Sequence, residues 1–344
     1  MKRNLLSSVI IAALMSTSLV ACDDKKEDKP ATQATKQAAE KTESPASSAP
    51  EVDSNTVLNQ KLNVYIECYN TLQTAINRNV HGYADKLADF RAGPTGQEPN
   101  LSLMGPVYPA FISDCRNDIK RVAQLKPNFE PLDSAALAFS DAAPALATTI
   151  NDMNKYYDQQ DYKDDNFAGA KEFHKKFISQ YDAFGPIAKN YIENINIMSR
   201  ERSVNDIKAT EQKEGKSIKY YTLLTILEAE TINDGVSGDD FDVASVSKQL
   251  ADFGDHIKQL SEKVNADIDK HRSFPGYISE LEKFQAAVKK RLRRVRDKVA
   301  YDEHDTYMIN NGNGRLVEGT HAAVVDAYND LIDTYNSYHL EREF

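Results

Sequence analysis

From residue 55 onward, apolar side chains recur at steps of three and four almost without interruption, and this period restricts the fold more than any other feature of the sequence. The first stripe runs Leu58, Leu62, Tyr65, Tyr69, Leu72, Ile76, Val80, Tyr83, Leu87, Phe90. That spacing places one apolar face along a helix. Gly93-Pro94-Thr95-Gly96 predicts its end. A second stripe covers Val107, Phe111, Cys115, Ile119 and Val122. An Ala-rich third helix is expected from about Asp133 to Tyr157, kinked at Pro144. A polar break follows, and a fourth stripe starts at Phe173 and passes Phe177, Phe184, Tyr191 and Met198. Further stripes run from Tyr221 to Ile232, Val243 to Ile268, Tyr277 to Val299 and Leu316 to Tyr338, with Asn310–Gly314 as a loop before the last.

Eight such segments with almost no alternating pattern predict an all-α fold, an elongated helical bundle. About 290 residues exceed one comfortable hydrophobic core. The expected division is into two four-helix halves, 55–200 and 201–344, joined by a long helix that bends at Gly185-Pro186 and continues toward Lys213; one continuous domain is the other arrangement. A helix of that length would span ~70 Å. No internal repeat is evident.

The N-terminus is of a different kind. Lys2 and Arg3 precede a short apolar run that ends in Leu19-Val20-Ala21-Cys22. A basic head, a short apolar body and a small-residue exit are the layout of a secretory signal peptide, and the body is too short and serine-rich for a comfortable membrane span. The exit looks like the bacterial lipobox, which predicts cleavage after residue 21 and lipidation of Cys22. Two or three acyl chains there, at ~0.8 kcal/mol per buried CH₂, would suffice as a membrane anchor. Asp23 and Asp24 follow directly. By resemblance to enteric lipoproteins, aspartate at that place is a sorting signal for retention at the inner membrane, facing the periplasm. Residues 22–54 have no aromatic side chain, and their first branched aliphatic is Val52. Such a stretch cannot offset its ordering entropy, so a disordered linker with a reach of roughly 30 Å is expected.

The chain carries a formal net charge of −10, more negative still once Lys2 and Arg3 are removed. An acidic, exported domain has no general attraction for nucleic acid. Cys68 and Cys115 remain after Cys22. In an oxidising compartment an even pair reads as a disulfide; both lie on helical stripes, which supports that reading over two buried free thiols.

Several stretches are similar to a known group. They are Cys22-Asp23-Asp24-Lys25-Lys26, Val64-Tyr65-Ile66-Glu67-Cys68-Tyr69-Asn70, Lys155-Tyr156-Tyr157, Tyr162-Lys163-Asp164-Asp165 and Arg293-Arg294-Val295-Arg296-Asp297-Lys298-Val299. The chain resembles the YiiG-like lipoproteins of enteric bacteria, a family classed as a domain of unknown function. The resemblance covers nearly everything but the linker. It implies an anchored helical lipoprotein with Cys68 and Cys115 paired, and supplies no catalytic residues.

A search for chemistry returns little. The seven histidines are scattered, no His-x-x-x-His or Cys-x-x-Cys occurs, and no metal or cofactor is expected. His174 reads as a core or edge histidine. Asp158, Asp161, Asp164 and Asp165 suggest an EF-hand only loosely: counted from Asp161, Lys163 falls where an oxygen ligand is needed and Asn166 where glycine belongs. These acids read better as favouring the positive start of the next helix. Gly312-x-Gly314 follows no strand and lacks a third glycine. The notable surface is Lys289, Lys290, Arg291, Arg293, Arg294, Arg296 and Lys298. It reads as a solvated face paired with the chain's own carboxylates, or as a patch for anionic headgroups or an acidic partner.

The function expected on these grounds is a non-enzymatic interaction or scaffold protein of the cell envelope, displayed from the membrane by its lipid and linker. The alternative is a small-ligand or cell-wall-fragment binder using Tyr156, Tyr157 and Tyr162 in a cleft, with an envelope enzyme a distant third. Oligomeric state is not legible.

Overall fold

The computed structural model describes residues 54–98, 101, 103 and 105–344. The expected signal peptide 1–21, Cys22, Asp23, Asp24 and the linker up to residue 53 lie outside the described residues. Ser54 is already helical.

The described residues form an all-α fold. In chain order the helices are α1 Ser54–Ala84, α2 Pro109–Ala123, α3 Leu132–Gln159, α4 Ala168–Glu214, α5 Ile218–Gly235, α6 Val243–Ala266, α7 Phe274–Arg296, α8 Glu303–Asn310 and α9 His321–Tyr338. Short 3-10 turns follow α3, α8 and α9. Local sequence explains many of the boundaries. The Ser217 hydroxyl accepts the Tyr220 N–H at the start of α5, Asp242 accepts Ala244 and Ser245 N–H before α6, and Thr320 accepts Ala323 N–H before α9. Each satisfies a donor that the helix itself leaves unpaired. Gly215, at φ +66°, stops α4 in a conformation that costs other residues more.

Two clusters of buried apolar residues divide the chain. The first gathers residues from Leu58 to Ile195 and is built by α1, α2, α3 and the first part of α4. The second gathers residues from Ile207 to Leu340 and is built by the end of α4 with α5, α6, α7 and α9. α4 belongs to both. It runs 47 residues without a break in its helix, through Gly185 and Pro186, about 70 Å at 1.5 Å per residue. Pro186 removes one helical donor. Phe184 and Ala188, both buried on the first core, hold the helix on either side of it.

Several element ends differ from the periodicity reading. α1 stops at Ala84, six residues short of Phe90: Lys86 and Leu87 N–H bond back only three residues, to the Tyr83 and Ala84 carbonyls, and the Asp89 carboxylate then accepts Arg91 and Ala92 N–H in the turn that follows. Leu87 stays buried and Phe90 still packs on the core from this turn. Phe111, Ile268, Val299 and Leu316 belong to no buried stripe and are exposed. α7 ends before Val299 because Lys298 turns the chain at φ +51°. α8 was not expected. It is eight residues long and buries none of them, so it leaves no apolar period to read.

Candidate functional site

Cys68 on α1 and Cys115 on α2 stand with their Cα atoms 5.1 Å apart and their sulfurs joined, within the separation a disulfide spans. Sequence separation is 47 residues, and closing a loop of that size removes about 4 kcal/mol of chain entropy from the unfolded state. Both cysteines line a surface groove of about 270 Å³ between the two helices. Glu67, Asp114 and Asp118 edge it, and Asp118 is already paired to Arg121 at 2.8 Å. Phe111 overhangs it, edge-on to exposed Tyr108.

Beneath α1 lies a charged network that the apolar pattern concealed. Lys61 is fully buried, and its ammonium donates to Asp133 at 2.6 Å. The same carboxylate accepts the Tyr65 hydroxyl at 2.7 Å and the Phe129 N–H at 3.0 Å. Burial, then the bond to Asp133, drives the Tyr65 pKa far above its ordinary value. A lysine, an aspartate and a tyrosine in contact are the raw material of acid–base chemistry, but here each is sealed in the core. The network joins α1 to α3 and to the turn before it. Its one sequence signal is that Lys61 falls between Leu58 and Leu62 on the buried face, where a charge has no business unless paired.

The tyrosines offered for ligand binding are core residues. Tyr156 and Tyr157 are buried and Tyr162 packs against them. The Tyr156 hydroxyl donates to Asp165 at 2.9 Å and accepts the Ala170 N–H at 3.0 Å. Asp165 also accepts Gly169 N–H in the first turn of α4, so this acid supports the helix start. Among the described residues, no group of three or more His, Cys, Asp or Glu could hold a metal ion. His174 is buried, with Nδ1 3.2 Å from the Tyr83 hydroxyl. Gly93 passes so close that a Cβ there would lie 2.3 Å from the imidazole. Burial pushes the His174 pKa below its usual value.

The second core has a mostly apolar groove of comparable interest, about 190 Å³ between α5 and α6. Glu228 lines it and holds His256 Nδ1 at 2.8 Å; burial raises the glutamate pKa despite that partner. A carboxylate orienting an imidazole is half of a nucleophile-activating pair. The other half is missing from the groove: Thr231, its only hydroxyl side chain among the lining residues, donates to the Leu227 carbonyl at 2.8 Å.

The basic run on α7 does not form one patch. Arg291 is only 3% exposed; its guanidinium reaches the carbonyls of Val236, Gly238 and Gly319 and the Asp239 carboxylate. It is a structural clamp and drops out of the expected surface, because position 291 shares the buried face with Val288 and Leu292. Lys290 pairs with Glu318 at 3.0 Å, Arg294 lies over the Tyr301 ring with Asp305 3.7 Å away, and Arg296 pairs with Asp297 at 2.7 Å. Lys289, Arg293 and Lys298 have no carboxylate within ion-pair distance among the described residues. Lys289 donates instead to Gln285.

A two-core helical bundle with a crosslinked first half defines the class of the molecule. The chain belongs to the family described as a protein of unknown function (DUF3829), which matches residues 56–337 and so takes in both cores. Over 356 aligned positions it is 36% identical to the uncharacterized protein YiiG of Escherichia coli (strain K12), covering 98% of this chain and 99% of that one. No solved structure matches. Among the described helices none is long and apolar enough to cross a membrane.

Proposed function

We propose that the chain is a lipoprotein whose mature form begins at lipidated Cys22, and that its two-bundle body serves as a non-enzymatic interaction or scaffold module of the envelope, held off the periplasmic face of the inner membrane by residues 23–53. The observation that carries the scaffold reading is the fate of the aromatic and charged side chains. Those that could have lined a ligand cleft or an acid–base centre, Tyr156, Tyr157, Lys61 and Asp133, are spent inside the first core. The anchor reading rests on Leu19-Val20-Ala21-Cys22 and the Asp23-Asp24 that follows.

Two measurements test it. Mass spectrometry of the N-terminal peptide should find Cys22 as the first residue with acyl chains, and Cys22→Ser should leave an unprocessed precursor. An unmodified Cys22 in the membrane-extracted protein sinks the anchor. Sucrose-gradient fractionation should place the protein with inner-membrane markers, and Asp23→Ser should redirect it to the outer membrane. Crosslinking in intact cells, followed by identification of what co-purifies, should return a recurring envelope protein; turnover of a cell-wall fragment by the purified chain would overturn the scaffold role.

A further inference from the structure

The groove between α1 and α2 has walls that the Cys68–Cys115 bond pins together. Glu67 and Asp114 each directly precede a bonded cysteine. The cysteine Cα atoms are 5.1 Å apart, so at 3.8 Å per residue the Cα atoms of the two acids lie within about 13 Å of each other. Asp118 follows one turn along α2, and Val64, Phe111 and the disulfide supply apolar lining. Tyr108 and Phe111 are 54% and 42% exposed, with their rings edge-on and 5.4 Å between centroids.

The charge of this groove is negative and is not cancelled by its surroundings. Three lining residues are carboxylates and none is a cation. On α2, Arg116 and Lys120 reach Asp141 of α3 at 2.8 and 3.8 Å, and Arg121 takes Asp118 at 2.8 Å. Lys61 is sealed against Asp133. Arg78, the next cation along α1, stands eleven residues beyond Glu67. That is about 16 Å of helix, twice the screening length of about 8 Å at physiological salt. Glu67 and Asp114 are exposed and make no ion pair among the described residues; Asp114 has only the Ser113 hydroxyl, at 3.5 Å. Two unpaired carboxylates beside exposed rings select a guanidinium, which forks onto carboxylates and lies flat on aromatic faces. They repel phosphate, so neither nucleic acid nor an anionic headgroup fits. At about 270 Å³ the groove is smaller than the ~300–1,000 Å³ of small-molecule pockets, which suits an inserted side chain better than a whole ligand.

We infer that the α1–α2 groove is a docking site for a basic, arginine-bearing segment of a protein partner, with Glu67 and Asp114 receiving the guanidinium and Phe111 and Tyr108 packing against it. This rests on the interaction-module reading and gives the partner's chemistry. It is independent of the acyl chains at Cys22. The disulfide then does more than brace the first bundle. It fixes the spacing of the two acids before the partner arrives, so little ordering is left to oppose binding.

The test uses residues 22–344 carrying Cys22→Ser, with the disulfide intact, and a short dye-labelled peptide of alternating arginine and serine. Fluorescence anisotropy should show saturable binding, and the same peptide with citrulline, the neutral isostere of arginine, should not bind. Glu67→Gln with Asp114→Asn should weaken binding about tenfold. Phe111→Ser should weaken it about threefold and leave the salt dependence intact. Removing the same charge far away, by Asp255→Asn with Glu282→Gln on α6 and α7, should change nothing. All five positions are exposed, and unchanged thermal melting of the variants excludes misfolding as the cause. Absence of saturable binding overturns the proposal, as does equal weakening by the distant pair or equal binding of the citrulline peptide. In intact cells, a photocrosslinking amino acid replacing Thr71, which lines the groove, should capture a segment that contains arginine. Capture of an acidic or uncharged segment overturns the assignment. Crosslinks from other surfaces with none from Thr71 overturn the groove and leave the interaction-module reading standing, whereas absence of any crosslink removes both.

Discussion

The two bundles solve the same packing problem with different fasteners. The first is held by long-range polar and covalent links between its helices: Cys68 to Cys115 joins α1 to α2, and Lys61, Tyr65 and Asp133 join α1 to α3. Its centre is a set of touching rings, with Phe139 and Tyr191 4.7 Å apart and the Tyr191 hydroxyl donating to the Tyr65 carbonyl. The second has no cysteine. Its interior leans on Phe253, Phe284 and Tyr277, the Tyr277 hydroxyl lies 3.1 Å from the Thr225 hydroxyl on α5, and its buried charge, Arg291, clamps loop carbonyls rather than another helix. The first bundle therefore ties helix to helix with a covalent bond and a buried ion pair, while the second ties its helices with the Tyr277–Thr225 hydroxyl pair and the partly exposed His256–Glu228 contact and uses its buried charge, Arg291, on its loops.

Perturbing each fastener should expose this difference. Asp133→Ala is expected to cost most, about 3–5 kcal/mol, because it strands the buried Lys61 charge. Denaturant unfolding followed by regional hydrogen exchange should show the loss in α1 and α3, with α6 and α7 protected; uniform loss across both bundles would mean that they unfold as one unit. Replacing both Cys68 and Cys115 with alanine should cost up to about 4 kcal/mol, the loop-closure contribution, and again only in the first bundle. A reducing agent should reproduce that shift in the parent protein and do nothing to the double variant. Arg291→Met should cost about 2–3 kcal/mol by orphaning carbonyls that a charged donor now satisfies. Its effect should appear as faster exchange in residues 236–242 and 314–320 before any change in α1.

The smallest effect is one of pH. Burial holds the folded-state pKa of His174 below that of the unfolded chain. The unfolded state therefore takes up the proton first as pH falls below about 6.5, and stability present at neutral pH is lost on acidification. His321 in the second bundle is shifted the same way by burial. His174→Gln should flatten the acid response of the first bundle alone. An unaltered pH profile of exchange around α1 and the Gly93 turn would show that the imidazole does not carry it.

Much of the architecture was legible because a helix buries a periodic stripe. α3, α4, α6 and α7 each announced themselves by runs of apolar residues, and the long α4 was readable through Pro186 because the pattern resumes on the far side. The ends were not legible. Val299 and Ile268 continue the period in sequence but not in space, since nothing packs over the last turn of either stripe. α8 has no stripe at all, although Asp302, its cap, is a residue type that marks helix starts. The basic run on α7 shows the same limit at the level of a surface: seven cations within ten residues read as one patch, although Arg291 shares the period of Val288 and Leu292 and is buried with them.

What the sequence determined by itself was the helical period, the order of the segments, the acidic balance, the cysteine pair and the lipobox-like Cys22, all of which depend on local chemistry or on counting. Tertiary structure decided which charges are buried. Lys61 and Arg291 fall on apolar stripes of the sequence, but only the fold supplies their partners: α3 brings Asp133 to one, and the loops around Gly238 and Gly319 bring carbonyls to the other. Desolvation is a property of neighbours that are distant in the chain, and so only the folded molecule separates the cations that hold it together from those left exposed.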